Sequence, residues 1–299
     1  MTPSQSHSRT ARIIPYAALL AAMMLFIGGT SFAKRLFGDV GAEGTAFYRA
    51  GFSAIVLVAM WRPWRRAWAR RELMDMALYG VSLGAMNLSF YKALATLPLG
   101  PAMAIEFLGP LSVATLHSRR MVHFVWIALA VVGLGLLLPI TGSAHALDAK
   151  GVAFALLAAL FWALYIVFGQ RGSHVHAGQA VAVGMATAAL VIAPFGIARA
   201  GLRLLDPRLM GLGLIAAMVS GALPYSLERI ALRGIARRTF GVLVAVEPAV
   251  GALGGMVLLN EVLSARQWLA IACVIGAGAG SVLWSGGEDT ARAVPDDSL

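Results

Sequence analysis

Along this chain, long apolar runs alternate with short polar breaks. The runs recur from end to end rather than gathering into one core-sized block. Ten stand out: Ile13–Phe32, Gly44–Trp61, Met74–Ala95, Gly100–Leu116, Phe124–Ile140, Gly151–Gly169, Ala177–Ala198, Met210–Ala231, Thr239–Leu259 and Trp268–Trp284. Each is about 17–22 residues long, the length a helix needs to cross a hydrocarbon layer roughly 30 Å thick. The pattern predicts an all-α polytopic membrane protein of ten transmembrane helices. Pro224 interrupts the eighth run, where a kink is expected.

Composition agrees. The chain is 59% hydrophobic and 13% charged, whereas a soluble domain carries about 45–50% apolar and about 25% charged residues. The 33 glycines suit close helix contact in lipid. Gly80/Gly84, Gly251/Gly255 and Gly276/Gly280 have the four-residue spacing of such contacts, read as internal packing rather than dimerisation. Arg9 and Arg12 before the first run, with Ser31-Phe32-Ala33 after it, imitate a signal peptide. The run exceeds the about 7–15 apolar residues of such a peptide, so it is expected as a retained helix. The single Cys273 says little about redox compartment.

The net charge of +10 reflects loop placement rather than nucleic-acid binding. With the N-terminus in the cytoplasm, fifteen Lys and Arg fall on the inner side and seven on the outer. That bias predicts both termini inside. The motif G-P-A-M-A-I-E from Gly100 has an echo in G-V-L-V-A-V-E from Gly241, which aligns Glu106 with Glu247 and Lys92 with Arg233. The chain thus reads as two five-helix repeats, residues 1–142 and 143–285, with a disordered cytoplasmic tail at 286–299. Five is odd, so the second repeat enters the membrane inverted. That is the plan of many secondary transporters, whose substrate site lies at the repeat interface near the midplane.

An acid inside hydrocarbon is costly unless partnered, protonated or wetted, and so marks a functional candidate. By helical rise, Glu106 and Glu247 each lie within about 5–6 Å of the midplane, on opposite sides of it. The alternative for each is a packed residue bonded to a neighbouring helix. Arg49 and Lys92 share the outer half with Glu106 and could join it in binding a carboxylate, or snorkel to the interface. A planar guanidinium makes Arg49 the better suited. Glu228 is either a site residue or an interfacial pair with Arg233. Tyr91, Trp162 and Tyr225, with Tyr48 and Tyr165, either line a cavity or form interface belts. Runs five and ten carry no charge in their interiors and are expected as outer supports. Enzyme chemistry finds little support. All six His lie in the N-terminal tail or at loops, so no metal site is expected. No G-x-x-x-x-G-K-[ST] loop occurs, and no cofactor is expected.

These residues resemble a known family. E-P-A-V-G-A-L-G-G-M-V-L-L-N-E, Glu247 to Glu261, followed by a Gly-rich last helix, resembles the EamA domain of the drug/metabolite transporter superfamily. Y-G-V-S-L-G-A-M-N from Tyr79, E-F-L-G-P-L from Glu106 with S-R-R from Ser118, and A-L-P-Y-S-L-E from Ala222 with R-T-F-G from Arg238 resemble its bacterial exporters of threonine and homoserine. The resemblance implies ten helices, an inner-membrane location and ion-driven efflux of small neutral amino acids. The proton gradient and the bilayer are then the partners, and export of another metabolite or drug is the alternative. One departure is visible. Glu261 closes the second motif, but the equivalent place in the first half holds Arg120.

Overall fold

The computed structural model describes residues 3–116, 122–137, 147–171, 176–224, 227–228, 231, 235 and 237–292, with backbone alone at 3–13, 114–116, 122–124, 177, 237–238 and 284–292. The described residues form helices and connecting turns, with no strand among them. The first half contains α1 (Pro3–Arg35), α2 (Phe37–Trp61), α3 (Arg70–Leu94), α4 (Leu99–Glu106), α5 (Leu108–Leu116) and α6 (Val122–Leu137). The second contains α7 (Ala149–Arg171), α8 (Ala177–Ala200), α9 (Pro207–Ala217) with a π turn at Met218–Ala222, α10 (Arg237–Val244), α11 (Glu247–Leu259) and α12 (Ala265–Arg292).

Six of these segments are long and apolar enough to cross a membrane, and Leu99–Val113, Val125–Leu137 and Pro207–Ala222 are shorter apolar helices. The chain is a multi-pass membrane protein. Its exposure is inverted relative to a soluble protein. Leu190 and Val257 on the outer faces are 74% and 77% exposed, while Arg49 and Glu106 inside are 7% and 6% exposed. In water that arrangement would be an aggregation hazard, whereas lipid chains cover it without cost. α3 is 25 residues long but falls outside the six because its own sequence is polar, with Arg70, Arg71, Glu72 and Asp75 at one end and Ser82, Asn87, Ser89 and Lys92 further on.

Helices of the first half pack on helices of the second: α2 on α8, α3 on α7, α4 on α11 and α6 on α12, with α1 against α11 and the π turn. Small residues permit the approach. A Cβ on Gly100 would meet Ala252 at 2.5 Å, and one on Gly109 would meet the Ala159 carbonyl at 2.2 Å. The paired glycines also face inward. Gly80 and Gly84 lie against α8, Gly251 lies against Met103 of α4, and Gly276 and Gly280 lie against α6.

Three prolines decide where helices break. A proline offers no N–H to the carbonyl four residues back and its ring crowds that carbonyl, yet a helix tolerates it in the first turn. Pro110 therefore releases the carbonyl of Glu106, where α4 ends and α5 begins. Pro248 releases that of Val244, where α10 ends, and sits in the first turn of α11. Pro224 releases that of Ser220, inside the π turn. Glu106, Ser220 and Val244 all line one cavity.

Candidate functional site

The cavity holds about 240 Å³ and is walled by α1, α2, α3, α4, α7, α10, α11 and the π-turn segment. Among the described residues, none from α6, α8 or α12 lines it. Most of the wall is apolar, with Phe26, Phe90, Met103, Phe107, Trp162 and Phe240 prominent. Trp162 meets Phe107 edge-on, with centroids 6.2 Å apart. Among the described residues, one guanidinium, Arg49, and three carboxyls, Glu106, Glu228 and Glu247, project into this wall.

Arg49 is fixed from several sides. Its Nε donates to the Ser220 hydroxyl at 3.1 Å and its Nη2 to the Ser220 carbonyl at 3.0 Å. Its Nη1 donates to Oδ1 of Asn87. Rings of Phe26 and Tyr91 lie 5.5 and 5.8 Å from its central carbon, in the cation–π range. Among the described residues no carboxylate forms an ion pair with it. A buried cation without a counter-ion is expensive, so its charge is open to an anionic guest.

Glu106 and Glu247 sit at equivalent breaks, the first at the last residue of α4 and the second at the first residue of α11. Glu106, Glu228 and Glu247 line the same small cavity as Arg49, so the three acids share one electrostatic neighbourhood. None of the three carboxyls enters an ion pair among the described residues.

The structure thus brings Arg49, Glu106, Glu228, Glu247 and Trp162 together. Tyr91 lies behind the cavity wall, fully buried, with its ring on Arg49. Its hydroxyl faces Ser220 without a hydrogen bond of standard geometry. Lys92 is absent from the lining and turns to Glu43, 3.4 Å away, and to the Phe154 ring at 4.8 Å. Tyr48 also lies elsewhere, donating to the Leu204 carbonyl at 3.0 Å. Tyr165 lines the cavity and accepts from the Tyr79 hydroxyl at 3.2 Å. Tyr225, Arg233 and Arg120 lie outside the described residues. Sequence reasoning missed Asn87 and Ser220. Each left a faint signal, an amide inside an apolar run and a hydroxyl four residues before a proline.

Helices broken in mid-run around a small charged cavity define a class, the membrane transporters that bind solute between helices. Comparison with known proteins narrows it. Residues 149–283 match the EamA-like transporter family. The threonine/homoserine exporter RhtA of Escherichia coli K12 is 46% identical over 270 residues, 90% of this chain and 92% of that protein. Its counterpart in Salmonella typhimurium SL1344 is 44% identical over the same shares of the two chains. A protein crystal structure 20% identical to this chain shares its fold, with a TM-score of 0.57 over 96% of this chain and 99% of that one. The chain belongs to the EamA-like transporter family, and it is a transporter rather than an enzyme.

Proposed function

We propose that this protein exports small neutral amino acids such as threonine and homoserine across a bacterial inner membrane, coupled to protons. One observation carries the reading. A single cavity holds a guanidinium without an ion-pair partner and three carboxyls inside apolar walls, in a chain this close to threonine/homoserine exporters. A free amino acid is a zwitterion, so it needs a cationic partner for its carboxylate and an anionic one for its ammonium. Arg49 serves the first, and Glu106 or Glu247 the second. With these four described groups ionised, one positive and three negative charges leave a sum of −2, which a zwitterion does not change. Proton uptake by the acids does change it. Proton and substrate thus influence each other's binding in one space. Glu247 is assigned the coupling role because it lies nearer the cytoplasm in the proposed orientation. The cavity is smaller than the roughly 300–1,000 Å³ of drug-sized sites, which favours a small metabolite over a drug.

The reading includes ten crossings in two inverted repeats with both termini in the cytoplasm. Its support is the pairing across the halves. α2 with α8 and α6 with α12 each join equivalent members of the two repeats, and α4 with α11 joins the fourth run of the first repeat to the fourth run of the second. A two-fold operation also exchanges the α3–α7 pair with the contact between α1 and the π turn.

Flux into proteoliposomes tests the function. A panel of amino acids should show threonine and homoserine transported, faster under an imposed pH gradient. No transport of either would overturn the substrate, and indifference to the gradient would overturn the coupling. For orientation, a reporter active only outside the cytoplasm should work when fused after Leu147 and stay silent after Trp68. The opposite pattern reverses the topology.

A further inference from the structure

We infer that Ser220, Pro224 and Asn87 form a positioning frame for Arg49. They hold the guanidinium by neutral acceptors so that part of its donor set stays free for the substrate carboxylate. The inference rests on Arg49 being the carboxylate partner proposed above.

The frame begins with a proline. In a helix, the N–H of one residue bonds the carbonyl four residues back. Pro224 has no N–H, so the Ser220 carbonyl is left for another donor. The backbone widens into the π turn, and the Leu223 N–H reaches back to the Met218 carbonyl. Nη2 of Arg49 takes the released carbonyl at 3.0 Å, while Nε takes the hydroxyl of the same residue at 3.1 Å. One serine therefore grips the guanidinium at two points. Its hydroxyl donates onward to the Ala216 carbonyl at 2.7 Å, which leaves an oxygen lone pair facing Nε. Asn87 binds from another side through its amide oxygen, and its Nδ2 donates to the Leu83 carbonyl at 2.8 Å, so that oxygen must face Arg49.

A guanidinium carries five N–H donors in a fixed fork. Three are held, and two remain. Every acceptor in the frame is neutral, so the group is oriented without having its charge cancelled. An acid in place of Asn87 would satisfy the same N–H but neutralise the charge that a substrate carboxylate needs. This explains why an amide and a proline-released carbonyl stand at Arg49, although acids line the same cavity.

The test uses the full-length protein in proteoliposomes, with threonine as substrate and threonine amide, which lacks the carboxylate, as competitor. The variants are Asn87→Asp, Ser220→Ala, Pro224→Ala and Arg49→Lys. Asn87→Asp and Ser220→Ala should raise KM for threonine roughly tenfold, the loss expected for one charge-assisted hydrogen bond or its neutralisation. Vmax should stay largely unchanged, as should inhibition by the amide. Pro224→Ala, which restores an N–H for the Ser220 carbonyl, should act in the same direction. Where it fails to insert, the other two variants decide. An unchanged KM in both Asn87→Asp and Ser220→Ala, with a raised KM in Arg49→Lys, overturns the frame and leaves the carboxylate reading standing. An unchanged KM in Arg49→Lys overturns both. Weakened inhibition by the amide in step with KM would mean general damage to the cavity and overturns the frame as well.

Discussion

Two charged clusters in this protein are built on opposite terms. At one end of the helices Lys34 and Glu261 form a clasp. The Lys34 ammonium lies 2.7 Å from Oε1 of Glu261 and donates to the Leu97 carbonyl at 3.0 Å. The other oxygen of Glu261 accepts the Leu99 N–H at 2.7 Å, at the start of α4. Neighbouring Arg35 donates to the Leu258 carbonyl at 3.0 Å. The clasp ties the end of α1 to the start of α4 and the end of α11, and every charge in it has a counter-charge or a backbone partner. An acid beside the unpaired N–H groups that open α4 is also favoured by the helix dipole. In the cavity, by contrast, Arg49 and Glu106 are more deeply buried and yet form no ion pair among the described residues. On the proposed function, the contrast separates charges that hold helices together from charges kept available for a guest. Burial is expensive for both, but among the described residues only the clasp offsets it with a counter-charge of the protein's own.

The comparison can be broken most severely at Arg49. Arg49→Lys keeps a charge but loses the fork, the two grips of Ser220 and the flat face against Phe26 and Tyr91. We expect export to fall by at least about tenfold with normal expression and insertion, since more than one charge-assisted bond is lost. Wild-type export by this variant, measured in the proteoliposome assay, would make Arg49 as structural as Lys34.

The acids sharpen the same contrast. Glu247→Gln should still bind and exchange substrate while losing its response to a pH gradient. Glu106→Gln, if Glu106 meets the ammonium, should lose binding at every pH. Normal transport with normal pH dependence in both variants would place the two glutamates with the clasp, as structural groups.

A smaller effect is expected at the clasp itself. Glu261→Gln removes the ion pair but keeps an acceptor for the Leu99 N–H. The pair is partly exposed, with side chains 22% and 12% accessible, so the loss should be about 1 kcal/mol. A thermal melt in detergent reads it as a modest drop in Tm, with KM for threonine unchanged. A large rise in KM would erase the distinction between clasp and cavity.

The smallest effect concerns Asp148, ahead of α7. The Gly151 N–H, 2.9 Å from its carboxylate, and the Thr96 hydroxyl hold its pKa below the usual aspartate value. A lowered folded-state pKa means its contribution is present above the ordinary aspartate range and fades as pH falls through the lowered value. Asp148→Asn should therefore lower the neutral-pH melt slightly and flatten the slight acid-side slope, so that the two proteins converge at low pH. An equal slope in the two proteins would show that the carboxylate contributes nothing there.

Much of the fold was legible because lipid imposes a simple rule on sequence. A helix in hydrocarbon must be apolar for a fixed length, so run length alone marks the membrane segments, and Ile13–Phe32 or Thr239–Leu259 can be read directly. The glutamates were legible for the converse reason. A carboxyl is so costly in that medium that its mere presence in a run is informative, and Glu106 and Glu247 do meet at one cavity. Hydrocarbon does not tell a lysine which neighbour it will reach. Lys92 and Arg49 looked alike in depth, but one turns to Glu43 and the other into the cavity. Nor does a local pattern show that Asn87 and Ser220, 133 residues apart in the numbering, close on the same guanidinium. A serine or asparagine costs far less to bury than an ion, and it hides easily among ordinary packing residues. The chain's own pattern thus determined that it crosses the membrane as helices, where the long apolar ones lie and which acids would need explaining. Only the tertiary structure decided which charges pair and which stay free, because pairing depends on distances between helices that the order of residues along any one helix does not contain.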